Sequence, residues 1–229
     1  MRYTSFNNSM PIVRFIIALL LLPAVASALR GVGFIVVNIG NAINDVTVPF
    51  WLGLGGYFVF QIIFFRPLKT YVFGHELTHA LAGILSGARL KSFSVGKNGG
   101  SVVLDKANLV IVLAPYFVPL YTVAVVFLWF AAGLFWQVQP YRPWFLFLTG
   151  FTLSFHVALS AYALRQGQSD MDHFGGFFSG VVIMLVNCVV VVLVLKAIFP
   201  SQISLKGYGV SAAHGCAVMY RAIYHGISH

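Results

Sequence analysis

His75-Glu76-Leu77-Thr78-His79 is the one stretch of this chain whose residue types and spacing could make a reaction centre. On a helix, positions i and i+4 share a face, so both imidazoles can address one divalent ion. The glutamate between them stands beside that ion and can act as general base toward an activated water. The chain holds seven histidines, and Glu76 is its one glutamate. Random scattering of these residues would place the motif in about one in a thousand such chains. Polar side chains bonding between packed helices would explain neither the spacing nor the position of that glutamate.

A catalytic zinc takes three protein ligands and keeps a fourth position open. The acid inventory makes the search for the third ligand short. Asp45 and Asp105 flank other elements, while Asp170 and Asp172 lie just before the last long apolar run, ahead of Gly175-Gly176. Asp170 is the preferred ligand; Asp172 stays open, although it could instead cap the helix that follows. His173 and His156 are further candidates. His156 lies mid-segment, where a helix-packing role competes with a place near the site. His214, Cys216, His225 and His229 match no metal-ligand spacing. Two cysteines, Cys188 and Cys216, make no disulfide framework.

The elements that must position these residues are written in composition. Of 229 residues, 59% are apolar and 8% charged, with a mean hydropathy of +0.90. A soluble domain carries about 25% charged residues, so lipid is the solvent that suits this chain. Apolar segments run over about 12–39, 46–65, 70–86, 108–136, 144–164 and 174–199. A span takes about twenty residues, which predicts an all-α membrane protein with five to six transmembrane helices. The zinc motif sits in the third segment, where ionisable groups are costly and mark function. Arg2 and Arg14 ahead of Phe15–Val25, with Ala26-Ser27-Ala28 after it, resemble a secretory leader. Apolar sequence resuming at Gly31–Ile39 favours a retained first helix.

Fourteen basic against five acidic residues give a net charge of +9. Arg14, Arg30, Arg66, Lys69, Arg89, Lys91, Arg142, Arg165 and Lys196 lie mostly at or near segment ends. That placement suits lipid headgroups and excludes nucleic acid as partner. Between the third and fourth segments, about 91–105 alternates around Lys97-Asn98-Gly99-Gly100, the chemistry of a β-hairpin turn. Residues 1–200 read as one membrane domain and 201–229 as a polar C-terminal tail.

Gly74-His75-Glu76-Leu77-Thr78-His79-Ala80 on an apolar helix ended by Gly87, the hairpin, an Ala114-Pro115-Tyr116 turn and a later Asp-bearing segment (about 168–199) resemble the site-2 protease family of intramembrane zinc metalloproteases. The likeness covers about residues 66–185. It implies Zn2+ on His75, His79 and Asp170, Glu76 as the catalytic base, and hydrolysis of a peptide bond in a membrane-protein substrate's helix. It also implies a site opening toward the cytosol, a place in the lipid bilayer of a cytoplasmic (plasma) membrane, and an adaptor protein for substrate delivery. Gln168-Ser169-Asp170-Met171 departs from the family's Leu-Asp-Gly, and no PDZ-like insertion fits between residues 89 and 106. Two other classes remain: a non-catalytic zinc-binding protein that escorts membrane proteins, and an ion transporter.

Counting spans adds a constraint. If the third to sixth segments each cross once, His75 and Asp170 begin segments on opposite faces and cannot share an ion. Either the ligands meet near the midplane or one segment fails to cross, and the second predicts a break in the fourth segment near Pro115–Pro119, tolerated where it is buried in protein or lines a cavity.

Overall fold

The computed structural model describes residues 2–3, 10–41, 44–64, 67–96, 99–166 and 169–227. Their order is β1 (Arg2–Tyr3), α1 (Pro11–Asn41), α2 (Val48–Phe64), α3 (Leu68–Leu85), β2 (Leu90–Gly96), β3 (Gly99–Leu104), α4 (Leu109–Phe117), α5 (Leu120–Gly133), a 3-10 turn (Gln139–Tyr141), α6 (Arg142–Arg165), α7 (Ser169–Asp172), α8 (Gly176–Ile198) and α9 (Leu205–Ile227). Contacts divide the chain into two compact units, one of residues 1–9 and 44–174, the other of 10–43 and 175–229.

In the first unit α2 lies against α6 with their backbones touching. A methyl on Gly53 would overlap the Phe147 carbonyl oxygen, and one on Gly150 the Phe50 carbonyl oxygen. Small residues permit this approach where lipid supplies no hydrophobic drive. Ser154 Oγ donates to the Leu54 carbonyl at 3.0 Å, and Tyr57 packs edge-on to Phe151 and Phe155.

Helix α3 stops where the sequence changes its backbone needs. Gly87 takes φ 72°, Ala88 N–H donates to the Gly83 carbonyl and Gly87 N–H to that of Ile84. This Schellman closure favours glycine, which takes a positive φ without a Cβ penalty. The chain then forms the antiparallel β2–β3 hairpin, with β1 parallel to β3 on the other side. Strand β3 crosses α3 closely: Ala80 of the helix joins Val102, Leu104, Ala88 and Ile111 in one buried cluster. Lys97 and Asn98 of the expected turn lie outside the described residues, as do Arg66, Gln168 and His229.

Asn108 caps α4, its Oδ1 accepting from Ile111 N–H at 2.9 Å, a bond worth about 1 kcal/mol. Helices α4 and α5 meet at a 77° bend. The predicted break is therefore present, at Val118–Pro119. Ala114-Pro115-Tyr116, expected as a turn, is instead the last part of α4.

The second unit holds α1, α8 and α9. Phe15 meets Phe177, with ring centroids 5.4 Å apart, and Ala18 and Val25 pack with Val181. The stretch expected as a polar tail is the 23-residue helix α9. It runs antiparallel along α1: Tyr208 donates to Ala28 O and Ser27 to Ala212 O, and Tyr220 to Leu20 O.

The chain is mostly helical. Among the described residues three elements are long and apolar enough to cross a membrane, Pro11–Asn41, Gln139–Arg165 and Gly176–Ile198, and a fourth if the bent α4–α5 pair is one span. The expected five to six included α2, which is apolar but 17 residues long, and the motif segment, whose polar residues dilute its hydropathy. Arg30 and Pro23 do not split the first segment, which is a single helix.

Candidate metal centre

All of the residues that build the centre belong to the first unit. Helix α3 supplies His75 and His79, one turn apart on one face. Asp170 comes from α7, a single turn set off from α8 by Gly175 at φ 88°. The Asp-bearing element is thus separate from the apolar helix after it. Asp172 is exposed, and the N-cap position of α8 is Gly175, so no side chain caps that helix. Asp170 is 3% exposed and His79 0%.

Three atoms converge. His75 Nε2 and Asp170 Oδ2 are 3.3 Å apart, His79 Nε2 and Asp170 Oδ2 3.2 Å, and the two Nε2 atoms 3.2 Å. A tetrahedral zinc with bonds of about 2.0–2.1 Å has ligand–ligand edges of about 3.3–3.4 Å. The near-equilateral triangle therefore has the size of one tetrahedral face, and the donor set could hold a metal ion.

The ring orientations agree with that use. His79 Nδ1 lies 2.8 Å from the Ile111 carbonyl oxygen. A carbonyl can only accept, so the proton is on Nδ1, and a neutral ring presents an Nε2 lone pair to the triangle. That carbonyl is available for a reason readable in the chain. Its ordinary i+4 donor would be residue 115, and Pro115 has no N–H to give. On the other imidazole, Tyr71 Oη lies 3.3 Å from His75 Nδ1. Tyr116, fully buried, donates to Asp170 Oδ2 at 3.3 Å and stands edge-on to His75, centroids 5.3 Å apart.

Burial by itself would raise the Asp170 carboxyl. The His75 and His79 rings against its Oδ2 outweigh it and hold the group below the usual carboxylate range. The site thus favours an ionised oxygen ligand beside two imidazoles.

Glu76 follows His75 on α3 and is 6% exposed. Its Oε2 is buried with no hydrogen-bond partner among the described residues, a cost of about 1–3 kcal/mol that a fold keeps only for a reason. Strand β3 covers it. A methyl on Gly100 would overlap Glu76 Cγ and come within 2.9 Å of Val72 Cγ1, so the strand can lie this close only with glycine there.

Beside His75 is a cleft lined by Tyr71, Thr78, Pro115, Tyr121 and His156, among others, with about 20 Å³ of room. That holds roughly one water. A peptide must open it or approach from another side. His156 therefore lies by the site, 8% exposed, without entering the ligand triangle. Asp45, Asp105, Asp172, His173, His214, Cys216 and His225 form no metal-capable group among the described residues.

Sequence reasoning missed Tyr116 as a neighbour of the ligands, Pro115 as the residue that frees a carbonyl, and Gly100 as the notch over Glu76. Tyr71, one turn before His75, was legible from spacing. Comparison with protein-family models, curated proteins and solved structures gave no match.

Proposed function

We propose that the chain is an intramembrane zinc metallopeptidase that hydrolyses peptide bonds in or near membrane-spanning segments of other proteins. The observation that carries this reading is the His75–His79–Asp170 triangle, sized for a tetrahedral ion, with Glu76 buried next to it in a chain built for lipid. Zinc held there would supply Lewis-acid polarisation and an acidified water, the chemistry of amide hydrolysis at neutral pH.

The chain's own groups do the rest. Glu76 accepts a proton from the attacking water as its oxygen bonds to the scissile carbonyl carbon. It returns that proton to the nitrogen as the C–N bond breaks, so one water is added across the peptide. Its unpartnered Oε2 suits a group whose partners are water and leaving amine. The substrate must unwind locally, since a helical carbonyl is already bonded and shielded. Exposed strand β2 forms the outer edge of the hairpin, and an unwound segment would pair along it.

The experiment compares wild type, Glu76→Gln and His75→Ala, each with a co-expressed single-span reporter and metal analysis of the purified chain. Glu76→Gln should keep about one zinc per chain and lose cleavage by about 10²–10⁴-fold. His75→Ala should lose both metal and cleavage. Undiminished cleavage by Glu76→Gln would exclude it as the base, and a wild type without zinc would end the proposal.

A further inference from the structure

Hydrolysis makes negative charge on the carbonyl oxygen, and Glu76 can only accept hydrogen bonds when it is ionised. A donor is needed. We propose that the Tyr116 hydroxyl is that donor, binding the carbonyl oxygen under attack; this rests on the peptidase reading above.

Three tyrosines surround the ligands. Tyr121 directs its hydroxyl away, donating to the Thr70 carbonyl at 2.7 Å. Tyr71 Oη lies against His75 Nδ1, on the far side of the ring from the ligand atom. Tyr116 alone of the three reaches a ligand atom, Asp170 Oδ2 at 3.3 Å. Its hydroxyl therefore stands at the rim of the triangle over which the reacting carbonyl must sit.

The surroundings suit the task. The ring is fully buried and braced edge-on against His75, so the hydroxyl is held by packing. A fixed donor in a water-poor site stabilises developing charge far better than one in water. The 3.3 Å bond to Asp170 is long for an O–H donor, whose usual distance is about 2.7–2.8 Å. When Oδ2 gives its lone pair to a cation, that bond weakens further, and a rotation about the C–O bond re-aims the proton. Donor and base come from different helices, Tyr116 from α4 and Glu76 from α3.

The competing role is purely positional: Tyr116 would hold Asp170 and never touch substrate. Purified full-length wild type and Tyr116→Phe separate the two, because phenylalanine keeps the ring and removes the hydroxyl. The measurements are zinc affinity by chelator competition, kcat and KM on a reconstituted single-span reporter, and binding of a phosphinic Leu-Leu dipeptide, whose anionic tetrahedral phosphorus mimics the attacked carbon. Expected in Tyr116→Phe are an unchanged zinc affinity and KM, with kcat and phosphinate affinity lower by about 10²–10³-fold. Tyr116→4-aminophenylalanine, which keeps an N–H donor at the same position, should recover most of the loss. This variant also covers the case in which phenylalanine does not fold.

Phosphinate affinity and kcat within about threefold of wild type would overturn the assignment. So would a zinc affinity about 10–100-fold weaker with kcat restored by excess zinc, since that is the positional result. Failure of 4-aminophenylalanine to recover phosphinate binding while zinc affinity stays normal would overturn it as well. A wild type that neither cleaves the reporter nor binds the phosphinate ends the peptidase reading itself, before any substitution is compared.

Discussion

At the scale of single residues, the centre depends on side chains held by backbone irregularities. Pro115 withholds an N–H, so the Ile111 carbonyl is left to fix the proton on His79 Nδ1. Pro115→Ala restores the N–H and makes it compete for that carbonyl. Zinc affinity should fall about 10–100-fold, read by chelator competition on the purified chain, and an unchanged affinity would rule out this role for the proline. The two aspartates offer a sharper contrast. Asp170→Asn removes the ionised oxygen from the triangle and should abolish tight metal binding. Asp172→Asn alters an exposed side chain and should leave binding within about twofold of wild type. Equal losses from the two would reject Asp170 as the ligand.

At the scale of elements, α3 packs against both the hairpin and α4, and each contact sets one functional group. Strand β3 lies over Glu76 because residue 100 has no side chain. Gly100→Ala should displace the carboxylate or lift the strand while leaving both imidazoles in place. Zinc content should stay at one per chain while reporter cleavage drops about 100-fold, the usual cost of a misplacement of about 1 Å. Cleavage at the wild-type rate would mean that the strand yields without moving Glu76. The hairpin was readable because alternation and an Asn-Gly-Gly turn are local signals. Its seat on α3 was not, because that packing joins residues 20 or more apart in sequence.

At the scale of the whole molecule, three helices among the described residues are long and apolar enough to cross a membrane, and α9 adds a question that hydropathy alone misses. This helix follows α1 in antiparallel contact from Tyr208 to Tyr220, against Leu20–Ala28 in the middle of an apolar span. A methyl on Gly215 would overlap Ser27 Oγ, so the approach is as close as small residues allow. Helix α9 is therefore expected to cross with α1 although its polar residues lower its mean hydropathy. With Cys188 and Cys216 replaced by alanine, single cysteines at Met10 and Gly226 should react with an impermeant maleimide from the same face. A cysteine at Ser201 should react from the other. Labelling of positions 201 and 226 from one face would place α9 along the membrane surface instead.

Composition alone pointed to a largely helical chain with helices apolar enough to cross a bilayer, because burial in lipid constrains every residue in the same way. Spacing alone established that His75 and His79 share a helical face with Glu76 beside them, because one turn of helix sets that geometry. Span counting together with the two prolines was enough to expect a broken fourth segment, since proline's effects act on its own backbone. Tertiary structure alone brought Asp170 across more than ninety residues to those imidazoles and left Asp172 outside. It also turned Pro115 from a helix breaker into the source of a free carbonyl, set Tyr116 at the ligand triangle, and laid α9 along α1. Each of these is a contact between distant segments, chosen by how whole elements pack, and no local pattern encodes that choice.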